Sequence, residues 1–216
     1  MTTVTRWFDN ADAIAAPDDC AWAPWVRHTR VPPPDRWQDT DSVAAYTEDE
    51  QALNTGVHEA AHAVVYMAAG YQVEHIVLFA PDDLTRLGRA AVRYAPASGP
   101  WLDWAVTCAA GERAELRWMR ETGRWSPERA WVAERLAWRD RSQVGAAYLD
   151  CHGRELTFHG DHDDWGDYAW VMDRTDEALD RVWDQVLALG CHLARHRRVT
   201  GGEAARIAGL AHGAPR

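Results

Sequence analysis

Apolar and polar positions first fall into register at Thr47. Thr47-Glu48-Asp49-Glu50 is a capping-box pattern, with the threonine as N-cap and Glu50 reaching back. It predicts a helix to about Ala69, stopped by Gly70 and locally weakened by Gly56. Residues 72–80 are rich in β-branched and aromatic side chains, Pro81-Asp82-Asp83 is a turn signal, and Arg89–Tyr94 reads as a second short strand. Together they predict a hairpin with a long loop. Ser98-Gly99-Pro100 opens a helix over about 101–121, ended by Gly123. Ser126-Pro127 opens another, running to roughly Arg139 with an extension to Asp150 left open. Residues 151–163 read as loop, and Asp163 or Asp164 can cap a helix beginning at Trp165. Asp176–His196 is amphipathic, with Ala178, Val182, Val186, Leu189 and Leu193 near one face. Thr200-Gly201-Gly202-Glu203 is a further capping box before a short last helix. The expected fold class is therefore mainly α (α+β), with one small β-hairpin.

Residues 1–46 lack any steady period. They hold Pro17, Pro24 and Pro32-Pro33-Pro34 together with Trp7, Trp22, Trp25 and Trp37, and read as an irregular arm anchored by its tryptophans. At 216 residues the chain fits one domain with this added segment. Hydrophobic residues make up 47% of it, enough for a core. The net charge of −10 argues against nucleic acid or an anionic membrane surface as main partner. No apolar run approaches the roughly 18 residues that span a bilayer, and the N-terminus shows no basic region followed by an apolar one. Cys20, Cys108, Cys151 and Cys191 lack close pairing or finger spacing, and read as reduced thiols. A cytoplasmic protein is expected.

The chemistry sits in His58-Glu59-Ala60-Ala61-His62. On a helix, positions i and i+4 share a face, so both imidazoles can reach one metal ion. Glu59 lies about 100° further round, placed to reach a water on the metal rather than the metal itself. The surrounding Val57, Ala60, Ala61, Val64 and Val65 make this an apolar helix, where two histidines and a glutamate are costly unless satisfied. A catalytic zinc takes three protein ligands and keeps one open position. Continuing the helix supplies no third ligand, because three and six residues beyond His62 stand Val65 and Ala68. Glu115 and the cluster Asp161-His162-Asp163-Asp164 are both candidates, with His159 beside the cluster.

The segment VHEAAHAVV (57–65) resembles the HEAGHAVV segment of the FtsH-type peptidases, the M41 zinc metallopeptidases, with Ala61 in place of glycine. The hairpin 71–94 is similar to that family's strand, loop and LGxx strand. Gly111-Glu112-Arg113-Ala114-Glu115 fits its Gly-x-x-Ala-Glu pattern, and Asp164-Trp165 fits the aspartate that begins a helix. Residues 187–209, LALGCHLARHRRVTGGEAARIAG, resemble its C-terminal stretch. The resemblance implies a zincin-like helical metallopeptidase domain over 47–212, with the arm 1–46 as a candidate lid. It implies Zn²⁺ held by His58, His62 and Asp164, Glu59 as general base, and Glu115 orienting a ligand histidine. The expected protein is a soluble, cytoplasmic zinc metallopeptidase that hydrolyses peptide bonds without ATP. Its expected substrates are peptides or unfolded proteins, and a separate ATPase or regulator is a candidate partner, because no GxxxxGK[ST] phosphate loop is present. Two alternatives stand beside it: a regulatory metalloprotease of the ImmA/IrrE type, which would depend on Glu115, and a non-catalytic interaction module that retains zinc.

Overall fold

The computed structural model describes residues 44–79, 90–94, 99–158 and 160–212. The arm over 1–43, with Cys20 and its tryptophans, lies outside the described residues, as do the hairpin loop and His159.

Helix α1 (Glu48–Ala68) begins as its sequence predicts. The Thr47 hydroxyl accepts from the Glu50 amide, and the Glu50 carboxylate accepts from the Thr47 amide. Strands β1 (Val73–Leu78) and β2 (Ala90–Tyr94) pair antiparallel. Helix α2 (Trp101–Glu121) follows, then α3 (Pro127–Leu136), whose N-cap Ser126 accepts from the Arg129 amide. The chain does not continue as one helix here. It breaks at Ala137, and α4 (Trp138–His152) starts with no side-chain cap at its first turn. Helix α5 (Tyr168–His196) is interrupted at Val182, where φ is −132°. Its N-cap is Asp167, not Asp163 or Asp164: the Asp167 carboxylate accepts from the Ala169 amide and from Thr157 Oγ1. Strand β3 (Arg198–Thr200) and helix α6 (Gly201–Ala208) complete the fold. The expected hairpin is thus part of a three-stranded antiparallel sheet in the order β2-β1-β3.

Helices α1, α2 and α5 pack on one another, the sheet and α6 close one end, and α4 lies against α2. The main core runs through Val57, Val64, Ile76, Leu116, Leu189 and Leu193, all without exposed surface. Gly56 has a packing reason in addition to its helical cost. A Cβ there would stand 2.6 Å from the Gly190 carbonyl oxygen of α5, so the glycine lets two backbones touch. No helix among the described residues is long and apolar enough to cross a membrane.

Candidate metal centre

His58 and His62 lie one turn apart on α1 and present their Nε2 atoms to the same space, 3.0 Å from each other. The third group there is Asp140, in the first turn of α4. Its Oδ2 stands 3.6 Å from His58 Nε2 and 3.7 Å from His62 Nε2. Ligands about 2.0–2.1 Å from a tetrahedral metal stand roughly 3.3 Å apart, so the three edges match one face of such a shell. Among the described residues, His58, His62 and Asp140 form the one cluster of histidine, cysteine and carboxylate groups close enough to share an ion. Two imidazoles and a carboxylate suit zinc and several neighbouring transition metals.

One face of α2 supports the two imidazoles through three positions spaced one turn apart. Thr107 offers its carbonyl to His62 Nδ1 at 2.6 Å, which puts the proton on Nδ1 and leaves Nε2 free to coordinate. Gly111 faces both rings: a Cβ there would fall 2.5 Å from His58 Nε2, and closer still to His62 Nε2. Only a glycine lets α2 come this near. Glu115 places Oε1 3.2 Å from His58 Nδ1, the nitrogen turned away from the cluster. Asn54, buried one turn before His58, donates to that carboxylate at 3.0 Å. The Gly-x-x-Ala-Glu pattern thus has a physical content here, a close approach followed one turn later by a carboxylate.

The electrostatics follow from the same contacts. Burial opposes a charge on His58, but Asp140 and Glu115 beside it outweigh burial and raise its pKa well above that of a free imidazole. Asp140 is the counterpart. Burial would raise it, yet the two histidines beside it hold its pKa far below the usual carboxylate range. Glu59 is partly buried beside them, and desolvation lifts its pKa above the ordinary value despite the nearby histidines. That makes it a stronger base than a solvated glutamate.

A cavity of about 770 Å³ opens over the group, with Glu59, His58, His62 and Asp140 in its wall. Val92 and Tyr94 of the edge strand β2 line one side, and Leu136, Trp138 and Arg139 at the α3–α4 break line another. Burial keeps the Tyr94 phenol protonated well beyond its usual range, so it is a neutral donor in this space.

The structure therefore brings together His58, Glu59, His62 and Glu115, and does not bring Asp164 to them. Asp164 lies in the loop before α5, where its Oδ1 accepts from the Gly166 amide. Asp161 Oδ1 accepts from the amides of Asp163 and Asp164. His162 pairs with Asp173 at 2.8 Å on the surface. The acidic run is a loop that caps itself. Sequence reasoning missed Asp140 because it ended the helix from 127 near Arg139 or ran it on to Asp150, and no cap or breaker marks a new helix start at Trp138. Neither a known protein-family model nor a curated protein matches this sequence.

Proposed function

We propose that this protein is a zinc-dependent peptidase whose metal ligands are His58, His62 and Asp140, with Glu59 as general base. The observation that carries the reading is the Nε2–Nε2–Oδ2 triangle facing a cavity that Glu59 also lines. A bound zinc ion would act as a Lewis acid on the scissile carbonyl and lower the pKa of the attacking water. Glu59, made more basic by its desolvation, takes the proton of that water and returns it to the leaving amine. Thr107 holds the far nitrogen of His62 and so its tautomer, and the Glu115 carboxylate stands beside the far nitrogen of His58. Tyr94 offers an O–H to the oxygen on which charge develops. Among the described residues β2 is an edge strand, and that edge and the size of the cavity suit an extended peptide.

Glu115 as third ligand, the arrangement expected of an ImmA/IrrE-type protein, is the weaker reading. Its carboxylate addresses His58 Nδ1, whereas the coordinating face is Nε2.

The test is zinc content and peptidase activity of the full chain and four variants. Asp140→Asn should lose zinc, and Asp164→Asn should keep it. Glu59→Gln should keep zinc and fold while losing cleavage of unfolded substrates by at least about 100-fold, within the range assigned to general acid–base catalysis. Glu115→Gln should weaken zinc without abolishing it. Zinc lost with Asp164→Asn and retained with Asp140→Asn would overturn the ligand set. A partner-dependent function that survives Glu59→Gln would overturn the enzyme.

A further inference from the structure

Beneath the metal-ligating triangle lies a second cluster that coordination does not use. Arg141, next to Asp140, has no exposed surface and yet carries a guanidinium. Its Nε and Nη2 donate to Glu112 Oε2 and Oε1 at 2.9 and 2.6 Å, a two-pronged pair within the protein. Glu112 follows Gly111, the residue that abuts both imidazoles. Tyr168, the first residue of α5 and also fully buried, donates to Glu112 Oε2 at 3.3 Å. Glu134 of α3 lies 3.8 Å from Arg141 Nη2. Four helices thus meet on one ion pair.

A buried ion pair is a poor device for stability, because desolvation offsets most of its attraction. What it can supply is register. Helix α4 follows Ala137 with no capping side chain, so no cap fixes the rotation of its first turn. Successive helical residues point about 100° apart. Locking Arg141 onto Glu112 therefore sets the direction of Asp140, just as Glu112 and Gly111 are locked on α2. A rotation of α4 by about 10° would move a group at a radius of roughly 5 Å by about 0.9 Å. Metal–ligand distances tolerate only about 0.2 Å.

We infer that the Glu112–Arg141 pair, with Tyr168 behind it, is a positioning device that holds Asp140 against the histidine pair. This rests on the metal reading above. The sequence segment 164–168, expected to bring a ligand, brings this phenol instead.

The test uses the full chain and two metal probes: Zn²⁺ by competition with a chelator, and Co²⁺ by its d–d absorption. Glu112→Gln keeps the shape of the side chain and removes the charge. Arg141→Lys keeps the charge and removes the fork. Each should bind about 10–100-fold more weakly, with a Co²⁺ spectrum shifted toward that of Asp140→Asn. Adding Asp140→Asn to Glu112→Gln should cost far less than the two single losses combined, since the ligand is already displaced. A residue that merely supports the fold would give additive losses and an unshifted spectrum. Tyr168→Phe, which removes one hydrogen bond, carries the test should the charge variants fail to fold, with an expected severalfold weakening. Folded variants with wild-type affinity and spectrum, or additive losses, would overturn the inference alone. A wild-type chain that takes up neither ion would overturn the metal centre and this inference with it.

Discussion

Replacing Gly111 with alanine isolates the role of close helix approach at the site. In an ordinary helix the change would gain about 1 kcal/mol from propensity. Here the new methyl would lie 2.5 Å from His58 Nε2, where ordinary contact begins near 3.4 Å. Both imidazoles, or α2 itself, must give by about 0.9 Å, and His62 is held through Thr107 while His58 stands beside Glu115. Overpacking of this kind costs about 1–3 kcal/mol, so the metal-free variant should lose up to about 2 kcal/mol once the propensity gain is set against it. The effect on metal should be larger. A displacement several times the tolerated ~0.2 Å removes a nitrogen ligand, and we expect zinc to bind more than about 100-fold more weakly, over about 2.7 kcal/mol. Thermal denaturation with and without zinc reads both effects. Wild type at zinc about 1,000 times its Kd gains roughly 4 kcal/mol, and the variant should gain far less. Gly202→Ala is the control, since a Cβ there meets nothing within 4 Å. Gly111→Ala with a zinc affinity within threefold of wild type would refute the argument that α2 must touch the imidazoles.

Four further outcomes are expected. Zinc affinity should fall by about tenfold per pH unit once pH drops below the raised pKa of His58, because that proton must leave before the nitrogen can coordinate; a flat profile over pH 6–8 in a chelator assay would contradict it. In the metal-free chain the same pair should stabilise the fold most at moderately acidic pH. The His58 contribution is complete below its unfolded pKa near 6.5 and is lost as pH rises through the raised folded value, and the Asp140 contribution is lost only as pH falls through its lowered one; urea midpoints across pH 4–9 measure this. Away from the site, Thr47→Ala should cost about 1 kcal/mol through the lost cap, and Gly56→Ala about 1–3 kcal/mol because its methyl would meet the Gly190 backbone; denaturant titration checks both, with zinc affinity little changed in the first.

Interactions closed within a few residues were legible in the chain itself. The capping box at Thr47 and Glu50, the Ser126 cap and the shared face of His58 and His62 depend on helical spacing alone, and a helix has one geometry. Glu59 follows from the same spacing. Gly111 and Glu115 could be recognised as a pattern, but that one abuts two rings and the other reaches the outer nitrogen of His58 depends on how α2 crosses α1. Tertiary structure alone decided the rest. Ala137 carries no breaker or cap, so nothing local marks the start of α4 or the direction of Asp140. Asp164 and Asp167 lie in one loop and both suit a helix start, and it is Thr157 that makes Asp167 the cap. Strand β3 spans three residues, too short for any period, and exists because the second edge of β1 has backbone groups to pair. A carboxylate far along the chain joins two histidines only where helix packing brings it, and packing is a property of the whole fold.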